Sequence, residues 1–358
     1  MSKRLVVCCD GTWNRPDETR EGIAAPTNVA KVAAAVARHA ADGTPQLVHY
    51  EEGVGTRRFE RIRGGLFGFG LSRNVLDCYR WLVESYEPGD ELFLFGFSRG
   101  AYTARSTVGL IRNAGILQRQ HLDRVDDGYR LYRAPDKEAE PAGIAATLFR
   151  RQYSHPDTTI RFVGVWDTVG SLGIPIDGKH LPILTNHWTF HDTTLSRWVE
   201  NAFHALAIDE RRGPFKPTLW EEKPGVTGQT VEQVWFAGVH SDVGGGYADP
   251  SLAEIPLLWM VDRARSRGLE FDPDHFLRHD PPDAERRHLG EEVAPDPLGQ
   301  IHESRKGFYL AFPRFDRKLE AYGAAAASTA TLRRKRKSEY RPANLDEYLA
   351  AGGHEVPI

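Results

Sequence analysis

Five short apolar runs recur along the chain, and each ends in small or polar residues. They are Arg4 to Cys9 before Asp10-Gly11-Thr12, Gln46 to Tyr50 before Glu52-Gly53-Val54-Gly55-Thr56, Leu92 to Phe95 before Gly96-Phe97-Ser98, Ile160 to Trp166 before Asp167, and Val234 to Gly238 before His240. Leu92 to Phe95, apolar throughout, fits a strand covered on both faces of a parallel sheet. Between the runs, Asn28 to Ala41 is alanine-rich and amphipathic. Ser72 to Tyr86 opens on a capping serine and stops before the turn Pro88-Gly89-Asp90, and Ala101 to Ile111 offers helix formers. Glu254 to Arg265 predicts a further helix, and Leu195, Trp198, Val199, Ala202, Phe203 and Leu206 have helical spacing, which predicts a helix within Leu195 to Arg212. Strands alternating with helices predict an α/β fold with a mostly parallel sheet. We expect one domain over residues 1–358, with a cap or lid within 171–230, to which the apolar loop Gly64 to Gly70 could add, and an irregular and helical C-terminal extension over 268–358.

In such sheets the ligand site lies beyond the carboxyl ends of the strands, where all the conspicuous polar residues of this chain fall. The most specific run is Glu91 to Arg105, E-L-F-L-F-G-F-S-R-G-A-Y-T-A-R, in which Ser98 centres a G-x-S-x-G motif between a strand and a helix. A serine at that corner is held in a tight turn with its hydroxyl exposed, and a Cβ at Gly96 or Gly100 would collide with the neighbouring strand or helix. A serine hydroxyl is a weak nucleophile at neutral pH, so it needs a base, and the base needs a carboxylate to orient it. His240 and Asp167 both follow apolar strands, and the order Ser98, Asp167, His240 is that of α/β-hydrolases. Asp242 and Asp10 are competing acids. The backbone N–H of Arg99 is the first expected oxyanion donor, and Gly11 or Thr12 the second.

Bulk composition narrows the field. Lys plus Arg number 46 against 49 Asp plus Glu, a net charge of −3, which argues against nucleic acid as a partner. Three cysteines cannot build a disulfide framework and fit a reducing compartment. The apolar segment after Lys3 and Arg4 is too short for a secretory signal, and no stretch reaches a membrane span, so the chain is expected to be cytoplasmic as synthesised, with lipid contact only peripheral. Among 14 histidines, His204 reads as a mid-helix residue that packs in the core or lines a pocket, and His187 with His191 and Asp192 makes a poor zinc set. No metal or cofactor is expected. Arg333 to Lys337 reads as a solvated helix end and Ala324 to Ala327 carries no chemistry. Two rival functions are open: phosphoryl transfer, because Leu5 to Thr12 is faintly like the D-x-D-G-T strand end of aspartate-nucleophile phosphatases although Cys8 holds the nucleophile position, and a non-catalytic binding module that keeps the fold.

The motifs Asp10-Gly11-Thr12-Trp13-Asn14, Gly53-Val54-Gly55-Thr56, Gly96 to Arg105, Val165 to Gly170 and Val239 to Gly245 together resemble a known family. It is the α/β-hydrolase family catalogued as domain of unknown function 2235, which includes the first family of type VI secretion lipase effectors. The resemblance runs from residue 4 to about 260, with an echo at Tyr340 to Leu345. It implies a Ser98, Asp167, His240 triad acting on lipid, phospholipid or other carboxylic esters, a short-chain esterase being the alternative, and it raises delivery by a specialised secretion system. Acyl length, head group and oligomeric state are not implied.

Overall fold

A computed structural model describes residues 2–11, 19–20, 22–53, 67–169, 195–221, 227–272, 274–276, 293–319 and 325–358. The elements in chain order are β1 (Arg4–Cys9), β2 (Thr19–Arg20), β3 (Ile23–Ala24), α1 (Asn28–Ala35), β4 (Gln46–Glu51), α2 (Phe67–Ser85), β5 (Glu91–Phe97), α3 (Arg99–Ala114), α4 (Val125–Arg133), α5 (Ile144–Tyr153), β6 (Phe162–Trp166), β7 (Asn201–Ala207), β8 (Thr230–Phe236), α6 (His240–Gly244), α7 (Glu254–Arg265), β9 (Ala325–Ser328), α8 (Thr329–Lys337), α9 (Ala343–Ala350) and β10 (Glu355–Val356). Eight of the strands form one sheet in the order β10-β9-β8-β7-β6-β5-β1-β4, and every pairing in it is parallel. The chain moves outward from β1 to β4, crosses back to β5, and then proceeds in the other direction. That reversal at β1 and β5 is the switch point at which open α/β sheets place their ligands.

Side chains alternate along the strands and both faces are covered, which is why the strands read as unbroken apolar runs. Leu5, Val7, Leu92, Leu94, Val163 and Val165 pack with α2 and α3 on one face. Val6, Phe93, Phe95, Phe97, Phe162 and Trp166 pack with α1 and α7 on the other. Local signals set the helix ends: Thr27 caps α1 through its side chain and Ser328 caps α8 likewise. Helix α1 stops before the expected Ala41, because Val36 turns extended and bridges Phe271. Helix α2 begins at Phe67, taking in part of the expected loop Gly64 to Gly70.

Two expectations are corrected. Asn201–Ala207 lies in the middle of the sheet between β6 and β8, not in a helix, so His204 is a strand residue. A short run buried on both faces has no periodicity that separates strand from helix, and ladder hydrogen bonds on both sides decide in favour of the strand. The C-terminal residues are more than an irregular extension. Ala325–Ser328, including most of the silent alanine run, and Glu355–Val356 extend the parallel sheet, and Leu319, Leu332, Leu345 and Tyr348 close a third cluster against Leu206 and Trp235. Residues 170–194, which hold the first part of the expected cap with His187, His191 and Asp192, lie outside the described residues, while Asn201–Ala207, also within the expected cap, lies in the sheet.

Candidate active site

Ser98 sits at the junction of β5 and α3 with φ 59° and ψ −121°. Only three described non-glycine residues have positive φ, and Ser98 and Asp167 are two of them, the latter at 39°. Such strain persists only where the surroundings fix it, and it gathers at functional sites. Here the surroundings are visible. The Ser98 N–H donates to the Trp166 carbonyl at 3.0 Å, tying the turn to β6. A Cβ on Gly96 would stand 2.6 Å from Ala101 Cα, and one on Gly100 would overlap the carbonyl oxygens of Cys9 and Asp10. Gly100→Ala is therefore expected to destabilise the fold by about 1–3 kcal/mol, read as a lower Tm in thermal unfolding.

Asp167 follows β6 directly and is fully buried. Its Oδ2 lies 2.6 Å from His240 Nδ1, and its Oδ1 accepts the Ala207 N–H at 3.0 Å. His240 opens α6 just beyond β8, and its ring packs 4.6 Å from that of Phe97 and 4.9 Å from that of Phe215, centroid to centroid. Gly244 makes this fit, since a Cβ there would overlap the Phe97 ring. Phe97 precedes Ser98 and Trp166 precedes Asp167, so one carboxyl edge of the sheet brings the three predicted residues into one neighbourhood.

The electrostatics suit a base. Burial pushes the His240 imidazole below its ordinary value, against the pull of Asp167. Burial alone would raise the Asp167 carboxyl, but the Arg317 guanidinium and His240 outweigh it and hold it well below the usual carboxylate range. The alternative acids have other partners. Asp242 engages His302 Nδ1 at 2.6 Å and the Val239 N–H at 2.9 Å. Asp10 accepts from Thr27 Oγ1 at 2.6 Å and Tyr50 Oη at 2.5 Å. The Gly11 N–H is already engaged by Asp10 Oδ1 at 2.6 Å, and Thr12 lies outside the described residues. Arg99 begins α3, so its N–H belongs to the first helical turn. His204 accepts the Thr168 N–H at Nε2 and is pushed down to about 3 by burial and then by the Arg105 charge, a neutral core imidazole. The described His49, Glu51 and Cys78 offer ligand atoms within 4.8 Å of one another, among β4 and α2. The Cys78 thiol there is raised well above its ordinary value by its contact with Cys9 and by burial.

Residues 3–263 match the family model described as "T6SS, Phospholipase effector Tle1-like, catalytic domain". The chain belongs to this Tle1-like family. Among curated proteins, the uncharacterized protein YEL023C of Saccharomyces cerevisiae is 27% identical over 245 residues, 62% of this chain and 33% of that protein, so the Tle1-like chain spans about a third of its relative's length. A crystal structure of an uncharacterized protein from Pseudomonas aeruginosa is similar at 16% identity and TM-score 0.42, over 82% of this chain and 49% of the other. The Tle1 effector bound to the VgrG spike of the type 6 secretion system is similar at 19% identity and TM-score 0.36, over 69% and 51%.

Sequence reasoning misses several residues around this Tle1-like site. Glu210, just past β7, accepts the His240 N–H at 3.3 Å and pairs with Arg212 and Ser304 Oγ. The Arg212 guanidinium lies over the Phe215 ring, which meets Tyr309 edge to face. Arg317 is buried against Asp167. None of these carries a motif. Glu210 follows a strand as the other site residues do, which the expected helix over this stretch obscured.

Proposed function

We propose that this Tle1-like domain is a serine hydrolase that cleaves carboxylic esters of lipids, phospholipids foremost. Ser98 Oγ attacks the acyl carbonyl carbon while His240 takes its proton. The tetrahedral intermediate collapses to an acyl-enzyme as His240 protonates the departing alcohol, and water then releases the acid by the same steps. Asp167 holds the imidazole tautomer through Nδ1, and the Arg99 N–H stabilises the oxyanion with a second donor from the loop after β1. The observation that carries the reading is the buried 2.6 Å contact between His240 Nδ1 and Asp167, set beside the strained serine turn. The lipid substrate rests on family membership, which also supports delivery by a type VI secretion system. Among the described residues no helix is long and apolar enough to cross a membrane.

The test is hydrolysis of p-nitrophenyl esters of graded acyl length and of defined phospholipid vesicles by wild type, Ser98→Ala and His240→Ala. Turnover of long-chain esters and phospholipid by wild type alone is expected. Preference for acetyl and butyryl esters with no phospholipid turnover would assign a short-chain esterase, and unimpaired activity in Ser98→Ala would remove the mechanism.

A pH profile follows from the burial of His240. The base works only when neutral, so activity is lost as pH falls through its folded value, which lies below the ordinary 6.5. The acid limb of kcat/KM should therefore have its midpoint below pH 6.5, with activity retained above it. A midpoint at or above pH 7 would contradict the assignment.

A further inference from the structure

Arg317 lies beyond the family-matched residues, between α7 and β9 in the chain. Its side chain is fully buried. Nη1 donates to Asp167 Oδ1 at 2.6 Å and to the Ala207 carbonyl at 2.7 Å, and Nη2 donates to Asp167 Oδ2 at 3.0 Å and to the Phe215 carbonyl at 2.7 Å. All four terminal N–H bonds are thereby used, two of them as a fork on one carboxylate, a geometry that lysine cannot reproduce. The backbone is pinned as well: Asn344 Nδ2 donates to the carbonyls of Arg317 at 3.0 Å and Ile208 at 3.2 Å, and Phe315 N–H donates to the Arg211 carbonyl at 3.0 Å. An arginine placed only to tie a segment down has no need of the carboxylate that meets the imidazole.

We propose that Arg317 is a positioning residue, which fixes the Asp167 carboxylate on the His240 ring and offsets its charge, so that the C-terminal segment completes the active site. This rests on the proposed serine mechanism. The charged groups acting on His240 are Asp167 after β6 and Glu210 and Arg212 after β7; Arg317 stands behind them, bonded to Asp167 and acting on Glu210, while Asp242 on α6 is engaged by His302. Two carboxylates are thus matched by two guanidiniums. Without Arg317 the balance is one negative charge in excess, the imidazolium is favoured, and the base is protonated at higher pH. Loosened packing alone would also raise the midpoint, by relieving the burial that lowers His240, so the variant that keeps the charge, Arg317→Lys, separates the two.

The test measures the rate at which a fluorophosphonate probe labels full-length wild type, Arg317→Gln and Arg317→Lys between pH 5 and 8.5, with thermal melts alongside. In Arg317→Gln the midpoint should rise by about one pH unit and the plateau rate should fall about tenfold or more. In Arg317→Lys, which keeps the charge and loses the fork, the midpoint should stay within about 0.3 unit of wild type while the plateau falls several-fold. A folded Arg317→Gln whose midpoint stays put or falls would overturn the proposal. Should that variant show no cooperative melt, Arg317→Lys decides, and an unchanged plateau there overturns it. Wild type that takes no label on Ser98 would instead refute the serine mechanism, which keeps the two failures apart.

Discussion

Ser98→Ala should lower ester hydrolysis by roughly four to six orders of magnitude, the range over which removal of a serine nucleophile acts when base and oxyanion donors are left in place. Alanine keeps the Cβ and removes only Oγ. The strained φ of 59° is retained by the Gly96 and Gly100 contacts and by the Trp166 carbonyl, so the melting transition should match wild type. Activity and labelling by a fluorophosphonate should vanish together, with peptide mass spectrometry of wild type placing the adduct in the peptide containing Ser98. A variant that melts normally and still hydrolyses ester would leave the serine turn as architecture only. His240→Ala should fall to a similar floor, and the double variant no further, because groups acting as one unit do not lose activity additively.

The part of this site that was legible in the sequence is the part carried by strand ends. Ser98, Asp167 and His240 each follow an apolar run, and a parallel sheet converts that shared position into proximity without any knowledge of the loops. Gly96 and Gly100 were legible for a related reason, since a backbone crossing so close leaves no room for a Cβ. Where the chemistry depends on packing rather than register, the sequence is silent. Asn201–Ala207 has apolar residues at both helical and strand spacing, and only its two sheet neighbours choose between them. Among Asp10, Asp167 and Asp242, nothing in the local sequence says which carboxylate reaches His240. Thr27 and Tyr50 occupy the first and His302 the third, all contacts distant in the chain. Arg317 is the extreme case: an arginine between Asp316 and Lys318 in a charged stretch reads as solvated, and its burial follows from where Leu319 and Asn344 anchor the segment.

Asp167→Asn should damage both activity and stability, by separable routes. The amide cannot stabilise the imidazolium that forms during attack, and it favours the wrong tautomer, so kcat should fall by about 10⁴. It also leaves the Arg317 guanidinium without its counter-charge in a fully buried site, and breaking one side of such a pair costs about 3–5 kcal/mol. Because the folded Asp167 carboxyl titrates below its unfolded value, its stabilisation is complete above the unfolded value of about 4 and is lost as pH falls toward the folded one. The stability gap between wild type and Asp167→Asn should accordingly be widest at neutral pH and narrower in acid, as denaturant unfolding at pH 7 and pH 3 would measure. Adding Arg317→Gln to Asp167→Asn removes the orphaned charge, so the double variant should recover part of the lost stability and none of the activity. A double variant less stable than either single one would mean that the guanidinium serves the Ala207 and Phe215 carbonyls more than the carboxylate.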